Sequence, residues 1–258
     1  MSPYAVPLLT TLGGAAFAFC LGRFLGRGRV TAEGDYGSQA LSIIGAVLLS
    51  SFILLTGFQV AGSWSALSTA RSGTYDEARA LTDAYWAAGG LAAADRTTVR
   101  GLLRRYTADV RTVEFPELRH GRTSPATWQA LDRVRGAVRG AVAVRPDQQA
   151  AKTAAQSALA TVYETRTDRA AAAKAGIPRI IWLAMVVSGS FLVAFPAVLG
   201  LTATPRHLVA LCFAAAAVAF AISLTAQLNH PFREPFGAGR TAFVFAETRF
   251  GQMDAPQR

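Results

Sequence analysis

Four residues share one face of an uncharged helix. Phe52, Thr56, Gln59 and Ser63 follow one another at intervals of four, three and four, the spacing that aligns side chains along a helix. Such a row can line a pore, its polar groups replacing part of an ion's hydration shell while Phe52 forms an apolar constriction. The same row can be a hydrogen-bonded seam between helices of one bundle, which needs only small and polar residues. The residues alone favour the seam and leave the pore open. Gly57 and Ala61 lie on a different face and form a close-packing pair.

Other chemistry is sparse. Catalysis needs several polar groups converging on one pocket, yet His120, His207 and His230 are far apart, with no Cys or carboxylate at metal-ligand spacing. Cys20 and Cys212 each sit inside an apolar run, which suggests neither a disulfide framework nor a metal centre. With no Gly-rich phosphate loop and no nucleophile elbow, an enzyme is disfavoured and no cofactor is expected. The apolar runs also lack the buried Asp, Glu, His or Arg of a coupled transporter.

The elements that position the row are membrane spans. Of the 258 residues 52% are hydrophobic and only 16% charged, against about a quarter charged in soluble chains. The apolar residues cluster in four runs: Pro3 to Gly22, a second centred on Ser42 to Gly62, Ile180 to Thr204, and His207 to Asn229. Each is about the 20 residues that a helix needs to cross a bilayer. The first is followed directly by Arg23, Arg27 and Arg29, so it reads as a retained span. The second helix continues past the bilayer, through TYDEARALTDAYWA to Gly89 and Gly90. Pro205 and Arg206 connect the last two spans, and the alanines of the fourth permit close helix approach.

Between spans two and three lies a helical insert, Arg71 to Arg179. Val99, Leu102, Leu103, Tyr106, Val110 and Val113 form one apolar stripe, and Trp128, Leu131, Val134, Val138 and Val142 a second, both at helical spacing. Ser124 before Pro125 marks a helix start, and a further helix from about Asp147 to Lys174 is stopped by Gly176 and Pro178. The tail turns at Pro231 and Pro235, then forms a short amphipathic piece, with Met253 to Arg258 loose. The expected fold is all-α, with four transmembrane helices and a soluble helical insert. Its segments are 1–35 (span one and its basic connection), 36–70 (span two), 71–179 (insert), 180–229 (spans three and four) and 230–258 (tail).

The net charge of +10 suits anionic lipid head groups better than nucleic acid, because the basic residues of the insert are mixed with acidic ones. Nine basic residues (Arg71, Arg79, Arg166, Arg169, Lys174, Arg179, Arg233, Arg240 and Arg249) border the insert and the tail, against four (Arg23, Arg27, Arg29 and Arg206) at the other connections. The positive-inside rule then places insert and both termini in the cytoplasm.

Several short motifs in this order resemble the bacterial bestrophin-like membrane proteins. They are Tyr75-Asp76-Glu77-Ala78-Arg79 after span two, Ser124-Pro125 in the insert, Gly176-Ile177-Pro178 with Trp182 entering span three, and Asn229-His230-Pro231-Phe232 after span four. The resemblance covers roughly residues 40 to 250 and implies a homo-oligomer, a pentamer if bestrophin-like. It also implies a cytoplasmic insert and an anion pathway lined by span two. In bestrophins Asn-Pro-Phe is followed by an acidic calcium clasp. Here His230 interrupts the motif, leaving Asn229, Pro231 and Phe232, and Arg233-Glu234-Pro235-Phe236 stands in the clasp's place, so calcium gating does not carry over. The expectation is an oligomeric channel for small anions in a lipid bilayer, with a non-conducting interaction or sensing module as the alternative.

Overall fold

The computed structural model describes residues 38–198, 205–233 and 236–255, with Leu9, Leu12, Gly13, Gly14, Ala16 and Cys20. The described residues form helices joined by turns, with no strand among them. Helix α1 is Ser38–Ala87, ending in a 3-10 turn at Ala88–Gly90. Then come α2 (Ala93–Asp109), a π turn (Val110–Glu114), α3 (Phe115–Leu118), α4 (Pro125–Gly140) and α5 (Pro146–Lys174). The chain finishes with α6 (Arg179–Val198), α7 (Pro205–Leu228) and α8 (Thr241–Asp254). Two compact units result, residues 1–64 with 176–229 and residues 65–175 with 230–258.

The first unit is apolar outside as well as in. Phe52, Met185, Val193, Ala215 and Val218 form its core. Gly189 lets α1, α6 and α7 meet, since a Cβ there would lie 2.8 Å from Val218 Cγ1 and 3.1 Å from Phe52 Cε2. Its outer surface carries Ile53, Leu54, Phe58, Ile180, Leu183, Phe191 and Phe213, with Phe58 69% and Phe213 73% exposed. Water does not tolerate so continuous an apolar surface, whereas hydrocarbon does. Three helical stretches, within Ile43–Gly90, Pro146–Phe195 and Leu208–Leu228, are long and apolar enough to cross a membrane. The second takes its apolar part from α6. The expected first span, and Arg23, Arg27 and Arg29 after it, lie largely outside the described residues; Gly14 is described, and a Cβ there would approach Ala219 Cβ to 2.7 Å.

The second unit has an ordinary core. Leu81, Tyr85, Val99, Leu103, Tyr106, Val110, Leu131, Val134, Val138, Leu159, Val162, Phe243 and Phe250 are buried together. Local chemistry sets its helix ends. The Ser124 hydroxyl accepts from Thr127 N at 3.4 Å, with Pro125 in the first turn of α4, a side-chain N-cap. After α3 the chain turns through Gly121, whose φ of 70° is left-handed. Gly121 N donates to Leu118 O (3.0 Å) and Arg122 N to Glu117 O (3.1 Å), the paired bonds of a Schellman ending.

Two stripe positions and the loose tail differ from expectation. Val113 is 44% exposed and Val142 62% exposed. The π turn at Val110–Glu114 widens the helix by one residue per turn, so the inward position after Val110 passes to Glu114 and Phe115. Val142 follows the end of α4 at Gly140 and no longer shares its face. Met253 and Asp254 are not loose but complete α8, and Asp254 is tied by Tyr85, Arg100 and Arg104.

Candidate functional site

The row on α1 meets two environments. Phe52 is buried against the α6 and α7 side chains of its own unit, and Ser63 is buried as well. Thr56 and Gln59 are half-buried, and the Thr56 hydroxyl is enclosed with no hydrogen-bond partner. Within one chain the row therefore packs inward at Phe52 and Ser63 and reaches the surface only between them. The small-residue face is the reverse. Gly57 and Ala61 are exposed, and no atom of a described residue comes within 4 Å of a Cβ built at Gly57 or Gly62. The expected close-packing pair thus has no partner inside its own chain among the described residues.

Two motifs distant in sequence come together beside α6. Asn229 Oδ1 accepts from Ile177 N at 2.5 Å, and a Cβ at Gly176 would lie 3.5 Å from the same oxygen. The side chain that ends α7 thereby holds the entry to α6. Pro178 O starts that helix, accepting from Ile181 N and Trp182 N at 3.0 and 3.2 Å. Downstream, Pro231 O accepts from Ala238 N at 2.6 Å and Arg233 O from Gly237 N at 2.9 Å. Gly237 is required in this turn, because a Cβ would come within 2.6 Å of Arg233 O and Phe232 C. Phe232 is buried, edge-on to Phe115 with centroids 6.2 Å apart. Burial first, then the Arg233 charge, holds the His230 imidazole below its usual range.

The second unit contains a buried charge hub. Arg166 Nη2 donates to Glu114 Oε2 at 2.5 Å and Nη1 to the Tyr106 hydroxyl at 2.8 Å. Tyr106 in turn donates to Glu77 Oε1 at 2.8 Å. Arg169 Nη1 lies 2.6 Å from Glu77 Oε2, and Nη2 lies 3.8 Å from Glu114 Oε1. All four charged side chains are essentially inaccessible. Arg169 meets the carboxylates as an ion pair without hydrogen-bond geometry, and its guanidinium also lies 5.2 Å from the Phe243 ring centre. The Arg166 guanidinium stacks 4.3 Å from the Trp128 ring centre. Burial, followed by the Glu77 charge, pushes the Tyr106 phenol well up, so it stays a neutral donor. Two carboxylates and two guanidiniums cancel, which is what makes a cluster so dry tenable.

The sequence places Arg166 and Arg169 among the basic residues that border the insert; in the structure they are buried and paired. A signal was available. Ala155, Leu159, Val162, Arg166, Arg169 and Ala173 recur at intervals of four and three, and all are buried. Two arginines continuing an apolar stripe must face the core with it, so partners had to be sought there.

Comparison with protein families finds a match to the model described as a Bestrophin-like domain, over residues 9–243. Comparison with curated proteins found no match, and comparison with solved structures found none.

Proposed function

From the premise that the chain belongs to the bestrophin-like family, we propose that this membrane protein is an oligomeric channel passing small anions through a path lined by the apolar part of α1. The observation that carries the reading is the surface of that span. It holds no charged residue between Asp35 and Arg71, and its Gly57, Ala61 and Gly62 positions are left uncovered by the described residues of its own chain. Small residues let helices of neighbouring copies approach closely, which supports a homo-oligomer, a pentamer by family likeness. In that assembly Thr56 and Gln59 present polar groups to the path, while Phe52 and Ser63 of the same row pack inward and set the position of that face. Exposed arginines of the second unit, placed in the cytoplasm, raise the local anion concentration.

The test is ionic current from the purified protein in planar bilayers under asymmetric potassium chloride. Discrete currents reversing near the chloride equilibrium potential are expected, with Gln59→Leu and Phe52→Ala altering conductance or selectivity. Silence from protein shown to be folded and oligomeric would overturn the channel, and unchanged currents in both variants would overturn the lining. The size and separate core of the second unit, more than a connector needs, favour a non-conducting interaction module as the second reading. Crosslinking that recovers only copies of the chain itself would count against it.

A further inference from the structure

In the second unit, α4 and α5 leave a groove between them. Arg135, Val138 and Arg139 line it from α4, and Gln156, Leu159, Ala160 and Tyr163 from α5. Its volume is about 430 Å³, within the range of small-molecule sites. From Gln156 to Tyr163 it follows two turns of helix, about 10 Å. The floor is apolar, since Val138 and Leu159 are buried core residues. The rim is polar and one-signed. Arg135 and Arg139 stand one turn apart on the same face of α4, both exposed, and no lining residue is acidic.

The lining itself brings two positive charges and no negative one. Outside the lining, the Asp132 carboxylate accepts the Tyr163 hydroxyl at 2.5 Å. Burial, with Asp132 adding to it, pushes the Tyr163 phenol up to about 12, so it brings no negative charge. Arg135 lies 4.9 Å from the Tyr163 ring centre, which fixes its guanidinium over one end of the groove. Arg139 makes no hydrogen bond or ion pair with any described residue, which leaves its donors free.

We infer that this groove binds an organic anion, a carboxylate or phosphate carried on a flat apolar body. The body lies on Val138, Leu159 and Ala160 and is flanked by the Tyr163 ring. The anionic group takes charge-assisted hydrogen bonds from Arg139 and, at the stacked end, from Arg135. Gln156 supplies a neutral donor and acceptor on the opposite wall.

The test is calorimetric titration of the full-length protein in detergent with 2-naphthyl phosphate and 2-naphthoate, against neutral 2-naphthol and inorganic phosphate, with detergent-only blanks. Both naphthyl anions are expected to bind, with naphthol and inorganic phosphate each at least about tenfold weaker. Arg139→Gln is expected to weaken the naphthyl anions about tenfold, the loss of one charged hydrogen bond. Ala160→Trp, at an exposed helix position, is expected to fill the groove and abolish binding with helical circular dichroism unchanged. Absence of heat from both naphthyl anions would overturn the site. So would naphthol or bare phosphate binding as tightly as the naphthyl anions, or undiminished affinity in both variants.

Discussion

Arg166 is a residue the second unit cannot lose cheaply, because it has partners that cannot be left alone. Its guanidinium serves Glu114 and Tyr106 at once and stacks on Trp128. Removing it strands Glu114, whose other cation is Arg169 Nη2 at 3.8 Å. Breaking a buried pair by deleting one partner costs about 3–5 kcal/mol, while replacing both with apolar groups can be neutral. Arg166→Met is therefore expected to destabilise the protein by about 3 kcal/mol or more, and Arg166→Met with Glu114→Leu to recover a good part of that. Thermal or denaturant unfolding of the full-length protein reads both. A single variant as stable as the wild type would mean that water reaches the hub and the charges are not dry.

Elements show how far sequence periodicity reaches and where it stops. The ends of α4 and α5 were legible, because Ser124-Pro125 and the Gly176-Pro178 stop act through the few residues around them. The apolar spans were legible for the same reason, since their composition is local. The charge hub was legible only in its arginines, which continue the apolar stripe of α5; their partners Glu77, Tyr106 and Glu114 lie on separate elements that no local pattern connects. Val113 was misassigned because one π turn shifts the register of everything after it, and nothing in the sequence VRTVE announces the wider turn. The turn gives the two valines opposite sensitivities. Val110 is fully buried and Val113 is 44% exposed. Val113→Asp is expected to change stability by no more than about 0.5 kcal/mol, as surface substitutions do, whereas Val110→Asp buries an unpaired carboxylate and costs several-fold more. Unfolding midpoints of the two variants check this, and equal losses would place Val113 inside.

At the scale of the whole molecule, one chain makes two units of opposite surface chemistry. One exposes aromatic and aliphatic side chains to hydrocarbon. The other gathers a large buried core of them and closes it with α8. That closure is chemically marked at its last residue. The Phe250 ring stacks on Tyr85 with centroids 4.2 Å apart. Asp254 accepts from the Tyr85 hydroxyl at 2.5 Å, from Arg100 Nη1 at 2.8 Å and from Arg104 Nη2 at 2.7 Å. The Tyr85 hydroxyl first, then the two arginines, hold the Asp254 carboxyl below its ordinary range. A carboxyl whose folded pKa is depressed binds fewer protons folded than unfolded. Its contribution is thus complete above the unfolded value of about 3.9 and is lost as pH falls through the lowered folded value. Asp254 is 39% exposed, so salt screens the contribution. The thermal midpoint of wild type should exceed that of Asp254→Asn at pH 6 and low salt. The gap should hold steady down to about pH 5, narrow below about pH 4, and shrink in high salt at pH 6. A gap unchanged by acid and by salt would mean that α8 is held by the Tyr85–Phe250 stack and its buried aromatics alone, with the charged clamp adding nothing.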